Sequence, residues 1–145
     1  MGETSQGLTF PTKADIVKLN REHIQRTGGN RDGAGQFHNE NSLSWVLDAI
    51  QHPLFGQHPY PTVAEKAAIL AWAIINSHVF MDGNKRTGIM TMMIFLRQNG
   101  FTLQASDDEI IKVAIQVANA REANFTQGQF TKWVQQHTRP IVPST

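Results

Sequence analysis

Residues 67–75 (AAILAWAII) and 89–96 (IMTMMIFL) are apolar on nearly every side of a helix. A helix without a polar face cannot lie on a surface. Two of them, separated only by residues 76–88, demand a fold in which both run through the centre and other helices wrap them. Neither run approaches the roughly 20 apolar residues that a membrane span needs.

The rest of the chain supplies the wrapping. Thr12 followed by Asp15 is a helix start, Ile16, Leu19, His23 and Ile24 recur at helical spacing, and Gly28-Gly29 is a stop, which predicts a helix over 13–27. The Gly-rich stretch 29–41 reads as a loop or small hairpin. Leu43, Val46, Leu47 and Ile50 form a short amphipathic helix that His52-Pro53 ends, and 55–61 is a connector. Thr62 with Glu65 is a capping box that opens the first central helix, to about 76. Asn99-Gly100 closes the second. Ser106 with Glu109 and Thr126 with Gln129 are further boxes, opening helices to about 120 and 137. Pro140 and Pro143 end the ordered part. The expectation is an all-α chain, one domain over 1–145 with an ordered core over 8–138, about six helices and a short flap loop or hairpin. Trp45, Trp72 and Trp133 read as core, and so do the methionines, four of which fall within 81–93.

Composition narrows the function classes. The chain has 145 residues, no cysteine and a formal net charge of +1. Disulfide and thiolate chemistry are excluded, and the charge is too small to announce a nucleic-acid or membrane partner. No signal-peptide pattern opens the chain, so a cytoplasmic location is expected. His23, His38, His52, His58 and His137 are scattered without metal-ligand spacing.

The charged interruption between the two apolar helices carries the chemistry. Residues 78–83 join them, and Gly83 or Asn84 begins the second. A helix start presents unpaired N–H groups and about half a unit of positive charge, a ready anion site. Lys85 and Arg86 are badly placed for that dipole unless an anion lies among them. Asp82 is the hard-oxygen ligand that Mg²⁺ beside a phosphate prefers. His78, with an ordinary pKa of about 6.5, suits taking a proton from a hydroxyl. Taken alone, the same residues also read as a C-terminal cap (His78), an N-cap (Asp82) and a solvated face (Lys85, Arg86). Val79 and Phe80 are expected to turn inward and fasten the loop.

The run HVFMDGNKRT resembles the signature of the Fic/Doc superfamily, in its death-on-curing (Doc) branch. The Fic pattern is His-x-Phe-x-Asp/Glu-Gly-Asn-Gly-Arg-x-x-Arg. This chain matches it at His78, Phe80, Asp82, Gly83, Asn84 and Arg86. It departs at Lys85, where the second Gly stands, and at Ile89, where the second Arg stands; both departures are those of the Doc branch. The flanks YPTVAEKAAIL and FLRQNGFTL extend the likeness over about 8–138.

The resemblance implies a function. Fic proteins transfer AMP from ATP to a protein hydroxyl, whereas Doc-type toxins transfer the γ-phosphate. On this chain it implies His78 as general base, Asp82 as Mg²⁺ ligand, and Gly83, Asn84, Lys85 and Arg86 as the phosphate grip. Residues 30–41 correspond to the family's flap, which docks the target by strand-like pairing, with Phe37 either a contact there or a plain loop residue. The implied target resembles elongation factor Tu, so that translation stalls. The inhibitory Ser/Thr-x-x-x-Glu-Gly/Asn motif has no match, because Gln36 precedes Glu40-Asn41. Inhibition in trans by the tail of a small antitoxin is the implied alternative. AMP transfer, and a catalytically silent antitoxin-binding or repressor partner, are the competing readings.

Overall fold

The computed structural model describes residues 7–29 and 31–142. Asn30 and Pro143, named above as the start of the flap and the end of the ordered part, lie outside the described residues. The elements run α1 (Lys13–Thr27), a 3-10 turn (Arg31–Gly33), α2 (Glu40–Gln51), α3 (Val63–Asn76), α4 (Asn84–Gln98), β1 (Phe101–Leu103), α5 (Asp107–Ala118), α6 (Ala120–Ala123), α7 (Gln127–His137) and β2 (Thr138–Pro140).

The four expected starts are all built as capping boxes. Thr12, Thr62, Ser106 and Thr126 each accept from the N–H three residues on, and Asp15, Glu65, Glu109 and Gln129 return a bond to the cap backbone. Each box satisfies two orphan donors of its helix.

The pair α3–α4 forms the centre, with α1 against α4, α2 and α7 against α3, and α5 against both. Along α3, Lys66 through Ala71 and Ala73 through Ile75 are buried. One buried cluster extends from Phe10 to Val134 and contains Leu43, Leu70, Phe80, Phe95 and Phe130.

Gly88 sets how closely the central pair approaches. A Cβ there would lie 2.5 Å from Ile75 Cγ1 and 2.9 Å from its Cδ1, and Ile75 is itself buried. Gly→Ala inside a helix ordinarily gains about 1 kcal/mol. Overpacking a core costs about 1–3 kcal/mol, and Ile75 has no solvent to swing into. Gly88→Ala is therefore expected to destabilise the fold by up to about 2 kcal/mol in a urea titration, and Gly88→Val by more.

Four details differ from the sequence reading. Two short strands pair antiparallel, with Phe101 opposite Pro140 and Leu103 opposite Thr138. Three-residue arms are too short to show alternation, and their pairing depends on the chain's return after α7. Residues 120–123 form a separate turn, α6, because Asn119 ends α5. Trp45 is not core: it is 51% exposed on α2. The outer flank of α4 is open as well, with Met93 and Ile94 exposed, and Met81 on the loop is exposed too. An apolar run says that a helix is mostly buried, and leaves open which of its positions a neighbour covers.

Candidate active site

The loop between α3 and α4 begins with a strained residue. Val79 N–H donates to Ile74 C=O (3.2 Å) and His78 N–H to Ile75 C=O (3.3 Å). This is the Schellman pattern, and it puts His78 at the position that glycine normally fills in the left-handed region. Its φ is 51°. Val79 is buried behind it and the imidazole is exposed. The C-terminal capping of α3 is thus done by the backbone, and the His78 side chain is left to solvent.

The middle of the loop is locked. Phe80 is 1% exposed and stacks on Phe37, with ring centroids 5.3 Å apart. Asn84 clamps the same residue: its Oδ1 accepts from Phe80 N–H (2.8 Å) and its Nδ2 donates to Phe80 C=O (2.9 Å). The Asn84 amide is therefore engaged with the loop backbone, which fixes where α4 starts.

Segment 36–39 runs along the loop in strand-like fashion. Val79 C=O accepts from His38 N–H (2.8 Å) and Asn39 N–H (2.9 Å), and Met81 N–H donates to Gln36 C=O (3.1 Å). Phe37 and Phe80 form an antiparallel bridge. Phe37 is half-buried and packs on the core beside Phe80.

The start of α4 differs from the boxed helices. Gly83 is the N-cap, with φ 76° and no side-chain cap, and the first turn has no acidic residue. Lys85 and Arg86 stand there, both exposed. Among the described residues, α4 alone combines an uncapped start, no first-turn acid and two cations. Gly83 is required twice over. Its φ favours glycine, and a Cβ would meet His23 Cδ2 and Ile24 Cδ1 at 3.0 Å.

Asp82 lies beside this start, half-buried, with Oδ1 accepting from Gly83 N–H (2.8 Å). A Cβ on Gly29 would lie 2.9 Å from Asp82 Oδ2, so the missing side chain makes room for the carboxylate. Among the described residues no three His, Cys, Asp or Glu side chains converge on a metal position. The Asp82 carboxylate beside an uncapped helix start is compatible with Mg²⁺, which takes one or two carboxylates and completes its shell with phosphates and water.

Two residues of α1 belong here that sequence reading passed over. Asn20 is fully buried and bonded to the loop and to α4. It lies in register with Ile16 and Ile24, so a polar residue on an apolar stripe was its signal. His23 packs against Gly83. Burial first, then the Arg86 and Arg26 guanidiniums, hold its imidazole below its ordinary value of 6.5, against a smaller upward pull from Asp82.

A pH dependence follows. Between the lowered folded value and 6.5 the unfolded chain binds this proton more readily than the folded one. The contribution to stability is fully present above 6.5 and is lost as pH falls through the folded value. On acidification from about pH 7 to about pH 5 the wild type is expected to lose more stability than His23→Gln, read by thermal unfolding.

Comparison with known proteins places the chain in a family. A family model described as Fic/DOC family matches residues 10–96, which include α1, α2, α3, the loop and most of α4. Toxin Doc of Mycolicibacterium smegmatis (strain ATCC 700084 / mc(2)155) is 38% identical over 67 residues, covering 43% of this chain and 52% of that protein. The match thus spans about half the length of the curated relative. No helix among the described residues is long and apolar enough to cross a membrane. With the family model covering more than half of the chain, from Phe10 through the whole loop between α3 and α4, this protein belongs to the Fic/DOC family.

Proposed function

We propose that this protein is a Doc-type toxin of a toxin–antitoxin pair, a protein kinase that moves the γ-phosphate of ATP to a hydroxyl of a translation factor resembling elongation factor Tu. The observation that carries this reading is the uncapped start of α4, with Lys85 and Arg86 in its first turn and no acid to balance them, below a loop whose first side chain is His78. Four α-helices complete their starts with their own side chains, whereas this one leaves its N–H groups for a ligand. The likeness to a protein named Toxin Doc supports the toxin assignment.

His78 takes the proton of the acceptor hydroxyl as its oxygen attacks the γ-phosphorus; the bond to the β-phosphate oxygen breaks and ADP leaves. Arg86 grips two phosphate oxygens and Lys85 adds a mobile point charge. Gly83 lets the first amides of α4 approach the phosphates, and Asn84 holds that turn in place through Phe80. Asp82 holds Mg²⁺, which supplies charge neutralisation when bound. Lys85 fills the space that a second glycine leaves open in the AMP-transferring pattern, which favours the terminal phosphate at the reacting position.

An antitoxin tail has a candidate seat farther along α4. The groove between α1 and α4 is lined by Asp15, Lys18, Leu19, Glu22, Ile94 and Gln98, charged on the α1 side and with Ile94 exposed. An amphipathic segment that folds on binding would cover it.

The test is transfer from α- and γ-labelled ATP to elongation factor Tu. Label arriving only from γ-labelled ATP supports the kinase. Label only from α-labelled ATP replaces it with AMP transfer, and no label from either removes the enzyme reading.

A further inference from the structure

Three hydrogen bonds meet at one side chain in α1. Asn20 Nδ2 donates to the Asp82 carbonyl (2.8 Å) and to Thr87 Oγ1 (3.1 Å), and its Oδ1 accepts from Gly35 N–H (2.9 Å). Asn20 and Thr87 are both 0% exposed. The three partners belong to the loop, to the first turns of α4 and to the segment leading into residues 36–39. Asn20 thus spends its whole amide on the pieces that build the site.

Few other side chains can do this. An amide carries two donors and an acceptor on one short stem. Aspartate keeps the acceptor and loses the paired donors, and leucine has the shape and none of the chemistry. The backbone around Asn20 is shaped for it. Gly35 has φ 72°, and a Cβ there would crowd Arg21 at 3.2 Å and Val17 at 3.3 Å, so only glycine brings that N–H against α1. A Cβ on Gly83 would come within 3.3 Å of Asn20 Nδ2 itself.

We propose that Asn20 is a positioning residue that holds Asp82 and the first turns of α4 in register with the segment starting at Gly35. The phosphate-binding and acceptor-facing parts of the site are then coupled through one buried amide. The inference rests on the function proposed above for the meaning of the coupling, and not for the coupling itself. Removing the amide takes one partner from the part-buried Asp82 carbonyl and from the buried Thr87 hydroxyl and Gly35 N–H, and the loop shifts in response.

The experiment compares Asn20→Ala and Asn20→Asp with Val134→Ala, a buried α7 substitution away from the site. Amide hydrogen exchange is read on the nucleotide-free proteins, and KM for Mg-ATP against kcat in the γ-label assay. Asn20→Ala is expected to speed exchange both at 80–87 and at 35–36. Asn20→Asp, which keeps the acceptor for Gly35, should do so chiefly at 80–87. Val134→Ala should do neither locally. KM for Mg-ATP should rise roughly 10–100-fold in both Asn20 variants, with a smaller change in kcat, the size typical of residues that orient a ligand-holding group. Unchanged exchange at 80–87, with KM within about twofold of the Val134→Ala control, would overturn the inference and leave the kinase reading standing. Should the wild type transfer no label, that reading fails and the exchange data still decide the role of Asn20. If Asn20→Ala does not fold, Asn20→Asp carries both readouts.

Discussion

Replacing His78 by glycine is expected to stabilise the fold and abolish the chemistry together. His78 is held at φ 51° by two backbone bonds that close α3, at 3.2 and 3.3 Å. A side chain in that region costs about 1–2 kcal/mol, while glycine loses about 0.5–1 kcal/mol more on folding than other residues. The balance favours His78→Gly by about 0.5–1 kcal/mol, read from the midpoint of chemical denaturation. Removal of a general base slows transfer by roughly 10²–10⁴-fold. His78→Ala loses the same activity without gaining stability, because alanine keeps a Cβ at the strained position. An active glycine variant would refute the base assignment, and a destabilised one would refute the strain. Strain retained at an exposed imidazole is the pattern of a residue placed for chemistry.

The sequence showed the frame and part of the site, for physical reasons that individual residues make plain. Capping boxes at Thr12, Thr62, Ser106 and Thr126 were legible because each is a contract between residues three apart. The central pair was legible because a helix apolar all round has no other place to go. The loop residues His78, Asp82, Lys85 and Arg86 could be named, since they break an apolar run. What they touch could not. The resemblance implied Asn84 in the phosphate grip, and no pattern in the sequence showed that its amide also clamps the Phe80 backbone. Asn20 and Gly29 meet Asp82 across more than fifty positions of sequence, a proximity that only the packing of α1 on α4 creates. Trp45 looked like core because it sits on a helical face, yet among the described residues it is half exposed on α2. Strands β1 and β2 were hidden for the related reason that three residues carry no period.

Phe80→Ala is the second large expected effect, and it separates anchoring of the loop from stability in general. Phe80, Phe95 and Phe130 are all at most 1% exposed. Truncating a buried phenylalanine costs about 3–5 kcal/mol through lost transfer energy and the cavity left behind. All three alanine variants are therefore expected to lose comparable stability, with some addition at Phe80 from its stacking on Phe37. Their effects on activity should diverge. Phe80 is the residue whose N–H and C=O Asn84 grips, and its neighbours Val79 and Met81 carry the bonds to segment 36–39. Without the ring that backbone loses its largest anchor in the core and keeps only Val79 and the polar bonds, so His78, Asp82 and the first turn of α4 lose much of their common reference. Assayed at a temperature where all three remain folded, Phe80→Ala should lose roughly tenfold or more in transfer rate, because misplacement by about 1 Å is enough for that. Phe95→Ala and Phe130→Ala should stay near wild type, and Phe80→Leu should recover much of the loss. Equal activity in Phe80→Ala and Phe95→Ala would mean that Asn84 and segment 36–39 hold the loop unaided.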